Sequence, residues 1–189
     1  EIKNLHGEDI RADRHYVRMV NDKAFERVTG YFKDGNIIYG GRTDAATRFI
    51  EPTIIENVPL DSPLMTEEIF GPVFPIVTFE DNFKERVIEF VTSREKPLAF
   101  YYFGKESDGW EIIRRTSSGG GCINDVIMHI ANENVPFGGV GNAGMGRYHD
   151  KDSFDAFSHT RSIIATGTWI DLPFRYMPYK MFGLVKKIL

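Results

Sequence analysis

Apolar residues recur every three or four positions between about Arg14 and Lys33, at Val17, Val20, Ala24, Val28 and Tyr31. That is the period of one helix face, with Asn21 or Asp22 placed to interrupt and recap it. Asn36–Tyr39 and Phe49–Ile55 are predicted strands, separated by the turn-forming Gly40, Gly41 and Asp44. Val73–Phe79 is a short apolar strand whose Pro75 requires an edge or a bulge. Phe83, Val87, Phe90 and Val91 then form a helical stripe that ends before Pro97. Leu98–Phe103 is predicted as a second buried strand, followed by a helix capped by Ser107 with Trp110 and Ile113 facing inward. Gly119–Gly121 end that helix, and Cys122–Met128 makes the next strand.

Strand, helix, strand, helix, strand with short links is the pattern of crossovers onto a mainly parallel sheet. The expected fold class is therefore α/β, a mainly parallel sheet with flanking helices. Beyond Val135 a glycine-rich loop leads to a short helix at Ser153–Phe157 and a β-branched run at Ser162–Thr166. The last twenty residues hold two prolines and four aromatics and are predicted to lie as an arm on a surface. Domain organisation follows: residues 1–160 form one α/β portion, and 161–189 a strand and arm. No internal repeat or low-complexity tract is present.

Composition narrows the function. A chain of 189 residues that is 42% hydrophobic and 26% charged has enough apolar side chains for a core. Its net charge of −4 gives no basic face for nucleic acid. Cys122 is the sole cysteine, which excludes an intrachain disulfide framework and thiolate metal clusters and points to a reducing, cytoplasmic setting. The first residues are polar rather than signal-like, no apolar run is long enough to span a bilayer, and the missing initiator Met points to a cut or processed chain. The five histidines show no metal-ligand spacing. Lys180–Leu189 mixes lysines with large apolar side chains, so weak contact with a membrane surface stands beside packing on protein as a role for the arm.

Three stretches carry chemical possibilities. Glu67-Glu68-Ile69-Phe70-Gly71-Pro72 sets carboxylates and a ring on a turn before a strand. Such a carboxylate can accept both hydroxyls of a ribose, and such a ring can pack on a flat heterocycle. The pattern alone favours the alternative, a solvated acidic turn with Phe70 in the core. Pro136–Arg147 contains Gly139-Val140-Gly141-Asn142-Ala143-Gly144, which matches the dinucleotide fingerprint. That fingerprint needs a strand directly before it and a helix at its end, neither of which is expected here. Cys122 and His129 are predicted to point to opposite faces of a straight strand, making Cys122 a packing residue rather than a nucleophile. Asn124 either offers its amide to a ligand or satisfies nearby backbone.

Taken in register, DAATRFIEPTI at 44–54, EEIFGPV at 67–73, REKPLAFYYF at 94–103, SSGGGCINDVIMHI at 117–130 and PFGGVGNAGMGRYHDKDSFDAFSHTRS at 136–162 resemble successive blocks of aldehyde dehydrogenases of the class-3 or fatty-aldehyde branch. The resemblance covers nearly the whole chain and is that of a C-terminal part. It implies that Glu68 binds the nicotinamide ribose of NAD or NADP, that Phe70 lies against the nicotinamide, and that Phe137 lines the junction of aldehyde and cofactor. Asn124 corresponds to a position near the substrate pocket. The family's chemistry is attack of a cysteine thiolate on an aldehyde, oxidation of the thiohemiacetal, and hydrolysis of a thioester.

Cys122 does not stand in the nucleophile's block, so the resemblance places no catalytic residue in this chain and implies that it is inactive alone. Ala143 replaces a serine common in the glycine loop. Ser162–Thr166 is similar to a strand that relatives lend to a neighbouring subunit, which implies a homodimer. A stand-alone binding or oligomerisation module of the same family is the competing expectation, and a Cys122-dependent hydrolase or redox protein a third.

Overall fold

A computed structural model of the chain describes residues 1–169, 171, 175–178 and 181–187. It divides into two compact units, Glu1–Val87 and Ile88–Leu189.

The first unit opens with α1 (Ile2–His6) and a 3-10 turn at Ile10–Ala12, then α2 (Asp22–Gly30) and a second 3-10 turn at Tyr31–Lys33. Asn21 recaps the chain as its type predicts, its side chain accepting the Ala24 N–H at 2.8 Å. The helix does not extend back to Arg14: Val17 and Val20 are 85% and 80% exposed, and Tyr16 and Met19 are the residues of this stretch that turn inward. Four strands follow: β1 (Asn36–Tyr39), β2 (Thr43–Asp44), β3 (Phe49–Ile50) and β4 (Thr53–Glu56). The single strand expected over Phe49–Ile55 is thus two. Pro52 interrupts it, after which the chain leaves its antiparallel partner β2 and enters a different sheet.

After α3 (Pro63–Thr66) comes β5 (Val73–Ile76), and the sheet order is β1-β4-β5, with β1 antiparallel and β5 parallel to β4. Pro75 sits in an end strand of that sheet, where its missing N–H costs no ladder bond on the open side. Phe25, Val28, Tyr31, Ile50, Ile55, Val58, Leu64 and Val73 form the core between α2, α3 and the sheet. Burying each of the larger aliphatic side chains contributes roughly 1.5–3 kcal/mol before conformational entropy is counted.

The boundary between the units falls within α4 (Phe83–Thr92). Its buried residue is Ile88, flanked by half-buried Val87, Phe90 and Val91, while Phe83 is exposed. The second unit continues with β6 (Ala99–Tyr102), α5 (Glu106–Arg115), β7 (Gly120–Ile123), α6 (Met128–Ala131) and α7 (Asp150–Ala156), and ends on α8 (Phe182–Val185). β6 and β7 pair in parallel, with α5 as the crossover between them.

Three expectations for this region are corrected. Ser107 does not cap α5, since Lys105 holds that position and makes no side-chain cap bond. The inward face of α5 is Gly109 and Ile112 rather than Trp110, which is 45% exposed. A Cβ on Gly109 would lie 2.7 Å from Tyr102 Cδ1, so the glycine lets the helix approach the strand and sets which face turns inward. Gly120 and Gly121 belong to β7 instead of ending the helix, which closes at Thr116.

The fold class is α/β, with two parallel and two antiparallel strand pairings among the described residues. Ser162–Thr166 is exposed and joins no strand among the described residues. The arm expected at the C-terminus, with its membrane-facing Lys180–Leu189, lies partly outside the described residues. No helix among the described residues is long and apolar enough to cross a membrane.

Candidate functional site

The turn Glu67–Gly71 is built by the helix opposite it. Arg27, on the last turn of α2, donates from Nη1 to the Glu68 carbonyl at 3.0 Å and from Nη2 to the Ile69 carbonyl at 2.8 Å. Its Nη1 also donates to the Tyr31 hydroxyl, which in turn donates to Glu67 Oε2 at 2.7 Å. Burial, and secondarily the Glu67 carboxylate, hold the Tyr31 phenol above its ordinary pKa of 10.0, so it remains a donor.

With its backbone pinned, the turn takes a conformation that a bulky residue rarely adopts. Phe70 has φ 42°. Gly71 follows it because a Cβ there would stand 2.8 Å from Val28 Cγ1 in the core. The acidic turn is solvated, but Phe70 is not core: it is 77% exposed and borders an open hollow of about 260 Å³ with Tyr16, Arg18 and Ile50.

The Glu68 carboxylate is exposed and makes no hydrogen bond or ion pair among the described residues. Glu67 is occupied by Tyr31 and Glu68 is not, so the two adjacent carboxylates are inequivalent. The unit therefore presents one free acceptor beside one free ring face. These are the groups needed to hold a ribose diol and an adjoining flat heterocycle.

In the second unit Asn124 is held at the end of β7 with φ 58°. Its Oδ1 accepts the Gly104 N–H at 2.7 Å and its Nδ2 donates to the Gly104 carbonyl at 2.9 Å. Both ends of the amide are thus engaged by backbone, tying the ends of β6 and β7 together. The residue still borders a hollow of about 730 Å³, lined also by Phe100, Trp110 and Cys122.

Cys122 and His129 do meet, contrary to the alternation argument: Cys122 Sγ lies 3.6 Å from His129 Nδ1. The strand stops at Ile123, and left-handed backbone at Asn124 and Ile127, with φ 58° and 67°, turns the chain back so that α6 packs on β7. Strand periodicity does not apply past that point. His129 Nε2 is buried without a partner among the described residues.

Phe137 is half-buried among rings. His129 is tilted against it at 5.6 Å, Tyr148 stands edge-on at 5.6 Å, and His149 is stacked at 6.3 Å. The glycine loop after it has only a 3-10 turn at Gly141–Ala143, with Val140 before it outside any strand, so it is not a pyrophosphate cradle. Glu68 and Phe70 share the first unit, and Asn124 and Phe137 the second. Arg27, Tyr31, Tyr148 and His149 are the supporting residues that sequence reasoning missed. Among the described residues no group of three or more His, Cys, Asp or Glu side chains is placed to hold a metal ion.

The first unit thus carries a free carboxylate and an exposed ring on a braced turn, and the second unit, separately, an aromatic cluster at the start of a glycine loop. The family model described as "Aldehyde dehydrogenase family" matches residues 3–163, and the chain belongs to that family. It is 46% identical over 180 residues to the dimeric NADP-preferring aldehyde dehydrogenase of Canis lupus familiaris, covering 94% of this chain and 39% of the dog protein. It is 42% identical over 182 residues to 4,4'-diaponeurosporen-aldehyde dehydrogenase of Staphylococcus aureus, covering 95% of this chain and 39% of that protein.

Among solved structures, the substrate-bound state of Staphylococcus aureus AldH superposes with a TM-score of 0.83 at 41% identity, covering 99% of this chain and 41% of the other. The NAD+ complex of an aldehyde dehydrogenase from Bacillus cereus superposes with a TM-score of 0.68 at 27% identity, covering 81% of this chain and 31% of the other. The chain thus spans about two fifths of the length of the dog and Staphylococcus relatives.

Proposed function

We propose that this chain is the C-terminal portion of an NAD(P)-dependent aldehyde dehydrogenase that oxidises aldehydes to carboxylic acids, and that it supplies cofactor and substrate walls without the nucleophile. The observation that carries the reading is the Glu67–Gly71 turn, in which Tyr31 takes one carboxylate and leaves Glu68 free beside an exposed Phe70. Glu68 accepts the hydroxyls of the nicotinamide ribose, and Phe70 offers its face to the nicotinamide and limits where that ring can lie. Phe137 walls the aldehyde site, and Asn124 keeps the adjoining strand ends in place.

When bound, the nicotinamide supplies the two-electron oxidation. The cysteine that forms the thiohemiacetal and thioester lies outside residues 1–189. Cys122 sits against His129 and borders the β7 hollow, but it does not stand in the nucleophile's block of the family. The lone thiol supports a reducing compartment, which we take to be the cytoplasm. The exposed β-branched run Ser162–Thr166 supports a homodimer in which it pairs with a second subunit.

The test is turnover by the full-length protein with an aldehyde and NAD+ or NADP+, followed by the absorbance of reduced nicotinamide. The full-length protein is expected to reduce the cofactor, and the isolated chain to leave it oxidised. Turnover by residues 1–189 alone would overturn the proposal.

A further inference from the structure

Phe137 is fixed more firmly than a loop residue requires. Its N–H donates to the Tyr148 carbonyl and its carbonyl accepts the Tyr148 N–H, both at 2.9 Å, a lone antiparallel bridge across the glycine loop. Tyr148 stands edge-on to the Phe137 ring, with 83° between their planes. His149 lies nearly parallel to it, at 27°. His149 and Tyr148 in turn meet edge-to-face at 4.7 Å.

His149 is itself held at both ends. Its backbone N–H donates to Ser153 Oγ at 2.9 Å, and its Nδ1 lies 2.8 Å from the Val135 carbonyl. A carbonyl can only accept, so Nδ1 carries the proton and the tautomer is set. The imidazole therefore ties down the segment two residues before Phe137 while its ring lies offset beside that of Phe137, 6.3 Å between centroids.

The backbone gives a second, independent indication. His149 has φ 101° and the next residue, Asp150, has φ 40°. These are left-handed values that glycine adopts without strain and other residues do not. The chain uses glycine freely nearby, at Gly144 and Gly146, both with positive φ. A histidine at the strained position has a use that glycine cannot supply, and the visible one is the tie to Val135 and the stack on Phe137.

We infer that His149 is a positioning residue for Phe137, with Tyr148 as its brace, so that the placement of the aldehyde wall, and with it the discrimination between bulky and small aldehydes, depends on the imidazole. The inference rests on the aldehyde dehydrogenase reading above.

The test uses the full-length protein with His149→Ala, Phe137→Ala, the double variant and His149→Asn, and measures kcat and KM for benzaldehyde and propanal together with the Kd for NAD+. Each single alanine variant is expected to raise KM for benzaldehyde relative to propanal roughly tenfold, as for a misplaced substrate wall, with the cofactor Kd unchanged in His149→Ala. The double variant is expected to be no worse than Phe137→Ala. His149→Asn keeps an amide donor in the place of Nδ1, able to reach the Val135 carbonyl, but has no ring, so its Tm should exceed that of His149→Ala without discrimination being restored. Additive losses in the double variant, or equal losses for both aldehydes, would overturn the inference.

A fluorine label on Phe137 reads ring placement without turnover. A shifted resonance in His149→Ala supports the positioning role, and an unchanged one overturns it. A shifted resonance in a protein inactive toward every aldehyde would sink the functional reading while leaving the positioning role standing.

Discussion

Replacing Arg27 by Met removes the guanidinium that holds the Glu67–Gly71 turn. Three bonds go with it: two to the carbonyls of Glu68 and Ile69, at 3.0 and 2.8 Å, and one to the Tyr31 hydroxyl. A hydrogen bond to a charged group contributes about 1.5–3 kcal/mol, but these carbonyls regain water when the arginine leaves. The left-handed Phe70 backbone, which costs about 1–3 kcal/mol, then loses what enforces it. A net loss of about 2 kcal/mol of preorganisation corresponds to roughly thirtyfold weaker cofactor binding.

The assay is equilibrium titration of the full-length variant with NAD+, followed by quenching of protein fluorescence. Arg27→Lys should fall between wild type and Met, because an ammonium can reach one carbonyl but cannot fork across two. A Kd within twofold of wild type in Arg27→Met would refute the claim that this side chain builds the site.

Other outcomes follow from the same structure. Glu51 is buried and accepts from Arg42 Nε, Nη2 and backbone N–H, and the Arg42 hydrogen bond holds its pKa below 4.5. A depressed folded pKa means that the stabilisation is present above about 4.5 and disappears as pH falls through the lower folded value. Glu51→Gln should therefore lower Tm by several degrees at neutral pH, with the gap to wild type closing in acid. Ile55 is fully buried in the core, and Ile55→Ala should cost about 3 kcal/mol and roughly 6–12 °C in Tm by calorimetry. The isolated chain leaves Phe103, Ile163 and Ile164 at 64%, 72% and 89% exposure, and should self-associate. A monodisperse monomer in concentrated solution by light scattering would contradict that.

Legibility in the sequence followed the range of the interaction. The stripe of Val87, Phe90 and Val91, the strands at Asn36, Val73 and Leu98, and the edge position of Pro75 were readable because each depends on local period or on one missing N–H. Val17 and Val20 shared that period without a core to face, so the helix began only at its Asn21 cap. The Glu68–Phe70 turn was visible as a motif, but its brace was not, since Arg27 acts on carbonyls 41 and 42 residues away. The meeting of Cys122 with His129 was missed because left-handed backbone at Asn124 and Ile127 has no glycine to announce it. Asn124 had both fates open, and the structure shows its amide engaged by Gly104.

The most direct test of the central claim, that Glu68 receives the nicotinamide ribose, is to titrate full-length wild type and Glu68→Gln with NAD+ and, separately, with ADP. The account predicts NAD+ binding or turnover weakened at least roughly tenfold in the variant, the scale of one charge-assisted hydrogen bond, with ADP affinity unchanged. Equal NAD+ affinity and turnover in the two proteins, or a parallel loss for ADP, would contradict it.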